Sequence, residues 1–231
     1  MKTVLSYRNV LSVLLALTFF ACQSKKDGSE STNTQQQTPQ FSTSSEAVTQ
    51  GKKDLLELLR TNPANGMNLN LQLLEKAQPE ESITAVDIDF QQFLKADSLQ
   101  SFRSLITVER GKITPLYADG QMVTSINTRI DNGSWSVSGI KDLVIESELS
   151  EMRNNIQEYR NAEIIFFEIP NIDAHVFSVN NNGQEAYYSN YNGMSLSKAL
   201  APNELLQILK NEALAFEREY GDQLKKGKLT K

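Results

Sequence analysis

Cysteine is almost missing from these 231 residues: Cys22 is the only one, so no internal disulfide can form. Histidine is equally scarce, with His175 alone. Structural zinc sites draw on several Cys and His ligands, and that shortage excludes one. No apolar run reaches the roughly 20 residues a membrane-spanning helix needs. No glycine-rich loop follows a strand into a helix, so no phosphate cradle is visible. An excess of basic residues is lacking too: 23 Lys and Arg stand against 28 Asp and Glu, a formal charge of −5. Nucleic-acid binding relies on neutralising phosphates, and such a chain is poorly suited to it.

What is present begins with Val10–Cys22, VLSVLLALTFFAC, preceded by Lys2 and Arg8. A basic start, an apolar middle and a small residue before the cut are the parts of a secretory signal. Through Phe19-Phe20-Ala21-Cys22 the segment resembles a bacterial lipoprotein signal of the lipobox type. The resemblance covers residues 1–22 and implies cleavage after residue 21, with lipid attached to the sulfur of Cys22. Phe19 stands where that family prefers leucine or another aliphatic residue. The implied partner is the membrane, through the lipid anchor. The implied address is the bacterial cell envelope, with the outer membrane favoured over the inner because Gln23 is not the aspartate associated with inner-membrane retention. Loss of Lys2 and Arg8 would leave 21 basic residues against 28 acidic ones, near −7.

Residues 22–50 read as a disordered tether. The stretch QSKKDGSESTNTQQQTPQFSTSSEAVTQ offers little beyond Phe41 to a core. As a coil it would reach roughly 30 Å. Residues 51–231 then form one globular domain, and the basic tail at Lys225, Lys226, Lys228 and Lys231 reads as a solvated end.

The domain reads as α+β, an antiparallel sheet of hairpin-connected strands with helices packed mainly on one face. Helices are predicted at Lys52–Arg60, around Leu69–Ala77, over Gln91–Ala96, along the stripe Ile145, Leu149, Met152, Ile156 and Tyr159, and from Pro202 to a stop at Gly221. Strands are predicted from Ile83, at 105–109, 113–117, 122–130 and 134–140, at Glu163–Ile169, and in a last hairpin of 174–179 with 184–191. Arg110-Gly111, Asp119-Gly120 and Asn132-Gly133 read as the turns of a meander. Trp135 reads as a core anchor beside Val137.

Asp173, His175 and Phe177 share a strand face with Ser178 opposite, and neighbours on one strand do not converge as a catalytic triad must. His175 therefore reads as structural, although a distant serine could approach it. Glu163 and Glu168 are the carboxylate pair considered for glycoside hydrolysis. Asp87 with Asp89, or Asn171 with Asp173, offer oxygens for calcium without matching a calcium loop. Tyr187 and Tyr191 are the candidate ligand contacts, able to stack on a sugar or peptide from one strand face. No catalytic residue, no metal ligand and no cofactor is assigned. The expectation is a non-catalytic binding or assembly module whose partner is an envelope protein, peptidoglycan or another glycan. The alternatives are an envelope hydrolase acting on cell-wall glycan or peptide, and a protease-inhibitor-like module.

Overall fold

The computed structural model describes residues 38–62, 66–97, 102–156 and 159–225. The signal segment, Cys22 and most of the expected tether lie outside them, as do the tail residues after Lys225.

The first helix, α1, runs Ser44–Thr61, eight residues earlier than predicted. Its start is fixed by a capping box: Glu46 N–H donates to Thr43 Oγ1, and Thr43 N–H donates to Glu46 Oε2. Ser44, Ala47, Val48 and Gly51 are buried along it. The expected tether is thus corrected at its end, because 44–50 form a packed helix, and Phe41 bridges Trp135 through two backbone hydrogen bonds.

Then follow α2 (Leu71–Lys76), β1 (Gln78–Pro79), β2 (Ile83–Ile88) and α3 (Phe90–Lys95). Strands β3 (Ile106–Ala118), β4 (Gln121–Asp131) and β5 (Ser134–Ile140) make the meander, and α4 (Leu143–Asn155) leaves it. The chain ends with β6 (Glu163–Ile169), β7 (Ala174–Asn181), β8 (Gln184–Tyr188) and α5 (Pro202–Lys225). The sheet order is β5-β4-β3-β2-β6-β7-β8, with the short β1 paired to β3. Every pair is antiparallel except β2 with β6, which joins two meanders at the centre of the sheet. Asp119-Gly120, Asn132-Gly133 and Asn182-Gly183 all have positive φ at both positions, as tight hairpins of this twist require.

Arg110-Gly111 is not a turn. Strand β3 runs straight through it, and a Cβ on Gly111 would lie 1.9 Å from the Thr128 carbonyl oxygen. The glycine permits close approach of β4. The register slip from Ala85↔Gly111 to Val86↔Glu109 leaves Arg110 as the extra residue of a bulge.

Strand alternation separates the core into layers. Ile83, Ala85, Ile113, Phe166 and Phe177 face α4, where Ile145, Leu149 and Met152 cover them. Val86, Ile165, Phe167 and Val176 face the other way, against α3 and α5. Leu116 and Ile126 share that second face and pack on α1 and α2. Among the described residues, α1, α2, α3 and α5 therefore lie on one face and α4 lies on the other, an α+β arrangement as expected.

Two local expectations are corrected. Trp135 is only half-buried on edge strand β5, with Lys112 Nζ 5.7 Å from its ring centroid, so it is no core anchor. Helix α5 passes through Gly221 to Lys225. Among the described residues, no helix is long and apolar enough to cross a membrane.

Candidate functional site

Helix α4 is held to its face of the sheet by two carboxylates as well as by its apolar stripe. Asp142 caps its start, accepting from Val144 and Ile145 N–H. One turn on, Glu146 Oε1 accepts from Ser125 N–H at 2.6 Å and from the hydroxyls of Thr124 and Ser125. Burial outweighs these bonds and raises the Glu146 pKa above the ordinary carboxylate value.

Glu148 is the second carboxylate, and only 4 % of it is exposed. Its oxygens lie 2.8 and 3.0 Å from His175 Nδ1, and Asn190 Nδ2 donates to it at 2.6 Å. A buried carboxylate is tolerated only with such partners. The imidazole meets the Phe166 ring edge-on at 5.1 Å between centroids. Burial favours neutral imidazole, but the hydrogen bond to Glu148 and the charges of Glu148, Glu168 and Asp173 outweigh it. The His175 pKa is raised above 6.5 as a result.

His175 lies at one end of a groove beside the first half of α4, with a cavity volume of about 240 Å³. Gly111 and Ala85 line its floor, with Arg110, Arg129, Asn127 and Ser138 along its length. Arg110 Nη1 reaches Glu168 at 2.6 Å, and Arg129 Nε reaches Asp131 at 2.9 Å. Glu168 is the register partner of His175 and the ion-pair partner of Arg110, so it stands between the two side chains. Asn127 Oδ1 is buried without a hydrogen-bond partner. Its lining runs from His175 on β7 through β6, β2, β3 and β4 to Ser138 on β5. Leu143 and Val144, 66 % and 57 % exposed, project from the same helical turn as the lining residues Asp142 and Ile145.

The sequence-predicted candidates fall elsewhere. Tyr187 is completely buried, its ring 5.2 Å from that of Phe102, and it cannot meet a ligand. Tyr191 is half-buried against the same cluster below α5. Tyr191 stands in the turn Tyr191–Gly193 after β8, so the two do not share a strand face, and the burial of Tyr187 corrects its assignment as a ligand contact. Glu163 pairs with Arg103 at 3.1 Å, whereas Glu168 pairs with Arg110. Five strand steps place these two carboxylates on opposite faces about 17 Å apart, beyond the range of a glycosidase pair. Asp89 caps α3 by accepting from Gln92 N–H at 2.8 Å, and Asp87 lies 3.8 Å from Arg110. Among the described residues, no group of three or more His, Cys, Asp or Glu side chains is placed to hold a metal ion.

No described serine hydroxyl bonds the imidazole; Ser189 Oγ donates instead to the His175 carbonyl, and Ser178 Oγ to Glu185. The site residues that sequence reasoning missed are Glu148 and Asn190. Glu148 had a signal: it stands three residues after Ile145 and four before Met152, a charge inside an apolar stripe. No protein-family model, curated protein or solved structure matches the chain.

Proposed function

We propose that the chain is a lipid-anchored, non-catalytic binding module of the bacterial cell envelope, held by Cys22, with the α4 groove as its ligand site. The observation that carries the anchor is the placement of the sole cysteine directly after an apolar run and Ala21. Each acyl CH₂ buried in the bilayer contributes about 0.8 kcal/mol, so several chains on one residue hold the protein firmly. The groove supports binding over turnover because its charged groups are held in pairs, His175 to Glu148 and Arg110 to Glu168. The outer membrane is the favoured location, and an envelope protein, peptidoglycan or another glycan the partner.

Metabolic labelling with an alkyne fatty acid, followed by membrane fractionation, tests the anchor. The natural chain should label and sediment with membranes, and Cys22→Ala should do neither. An intact mass showing an unmodified Cys22 would refute the anchor.

The Glu148–His175 pair favours a second reading, an envelope hydrolase acting on cell-wall glycan or peptide. A carboxylate on Nδ1 fixes the ring so that Nε2 can carry a proton. That reading requires turnover of cell-wall glycan or peptide that His175→Gln abolishes.

A further inference from the structure

We propose that the connection from Ser189 to Leu200 is a strap across the outer edge of β8, latched to α4 through Asn190, Glu148 and His175, and that loss of the imidazole proton releases it. Release bares the outer side of β8, which ends the sheet order. The latch works in the same way whatever the α4 groove binds.

The strap is tied down at few points. Between Tyr191 and Leu200, Leu196 alone is buried, in the layer under α4, whereas Met194 and Leu200 lie half-buried against the layer under α5. The segment therefore wraps the edge from one face to the other. At its far end Leu200 N–H donates to the Tyr187 carbonyl at 2.8 Å, and at its start Ser189 Oγ donates to the His175 carbonyl at 2.6 Å. Asn190 adds the bond to Glu148, the carboxylate that also holds the imidazole. A segment with so few core contacts belongs to the low-stability end of a fold and can open on its own.

The charges around the ring decide when it opens. Glu148 faces His175 from α4, Glu168 from β6 and Asp173 from the turn before β7. Arg110 on β3 is the neighbouring cation, and it is engaged by Glu168 at 2.6 Å and by Asp87 of β2 at 3.8 Å. Asp142 lines the same groove, with its Oδ1 committed to capping α4. Among these groups the protonated imidazole is the cation that offsets the buried Glu148. Burial opposes that charge, and Glu148, Glu168 and Asp173 outweigh burial. Once the proton leaves, the carboxylate stands among like charges with no cation of its own, a cost relieved by water entering between α4 and the strap. Water there competes for the Asn190 amide. Tyr191 on the strap stays neutral, because burial, Glu212 and Asp173 hold its hydroxyl above the ordinary value of 10.

Amide hydrogen exchange on the full chain in detergent tests the latch, with Leu200 N–H as the reporter and the amides of β6 as the reference for opening of the whole sheet. Protection is read as the ratio of intrinsic to observed rate, which removes the pH dependence of the exchange chemistry itself. A proton held more tightly in the latched state keeps protection full below the ordinary 6.5 and lets it fall as pH rises through the raised value. In the natural chain the protection of Leu200 should lie below that of β6 at every pH and fall by about threefold or more between about pH 6 and about pH 9. Asn190→Ala leaves the ring and Glu148 in place; it should lower Leu200 protection already at the acid end, leave β6 protection the higher, and abolish the fall. His175→Gln should abolish the fall as well. A Leu200 protection that is constant over the range would overturn the proposal, as would one equal to that of β6, since the strap would then open only with the sheet. A fall of the same size in His175→Gln would also overturn it, because another group would be the one that titrates.

Discussion

At the scale of single residues, two side chains carry consequences that their neighbours in sequence would not. His175 has its folded-state pKa raised above the ordinary 6.5 by Glu148, Glu168 and Asp173 working against burial. A group raised on folding contributes stability that is fully present below its unfolded pKa and lost as pH climbs through the folded value. The difference in Tm between the natural chain and His175→Gln should therefore be greatest near pH 6 and shrink on the alkaline side, measured from about pH 5 to about pH 9. A difference constant over that range would remove the charge from the account. Glu146 is also raised, but its own loss falls nearer the carboxylate range and is common to both proteins. Gly111 is the other residue. A methyl there would meet the Thr128 carbonyl oxygen at 1.9 Å, within rigid backbone of a central ladder. Gly111→Ala should cost about 3 kcal/mol in urea unfolding, at the upper end of overpacking effects; a loss below about 1 kcal/mol would show that β3 and β4 can part.

At the scale of elements, α5 and β3 show how a local signal is overruled. Gly221 reads as a helix stop, yet nothing after it demands a turn, and the helix continues to Lys225. Its absent Cβ would meet only the carboxylate end of Glu217 at 2.8 Å, which can swing aside. Gly221→Ala should then stabilise the protein by about 0.5–1 kcal/mol, seen as a rise in denaturation midpoint. Destabilisation would mean that the glycine serves a contact. In β3 the same residue type serves a different need, since Arg110-Gly111 has the composition of a turn but sits where two backbones meet. Composition cannot tell these cases apart, because the deciding atom belongs to β4. Asp119-Gly120 and Asn132-Gly133 could be read correctly, because a two-residue hairpin carries its whole requirement in its own φ angles. The capping box at Thr43 and Glu46 was also legible by spacing, but the polar Ser/Thr-rich surroundings hid it.

At the scale of the whole molecule, the sheet depends on its first helix. Ala47 and Val48 are buried, Ser44 Oγ hydrogen-bonds Thr128 Oγ1 at 2.9 Å, and Gly51 approaches Val137 and Ile126. A chain beginning at Lys52 would uncover that end of β4 and β5. It should lose about 3 kcal/mol or more of unfolding free energy, the scale of several lost core contacts. A chain beginning at Thr38 should unfold with an unchanged midpoint. Equal midpoints for both truncations would return α1 to the status of a spacer.

The sequence by itself determined the class of fold, and it carries the expectation of an address. A basic start, an apolar run and a lone cysteine are contiguous, and alternation with turn dipeptides specifies strands without reference to anything distant. Tertiary structure alone decided the site. Glu148 and His175 stand 27 residues apart and meet because α4 crosses back over the parallel junction of β2 with β6. Alternation predicts one strand face for Tyr187 and Tyr191, yet β8 ends at Tyr188 and Tyr191 stands in the turn beyond it, while packing against the α5 layer makes Tyr187 core. Periodicity marks which residues share a face; it takes the partner layer to decide whether that face meets protein or solvent.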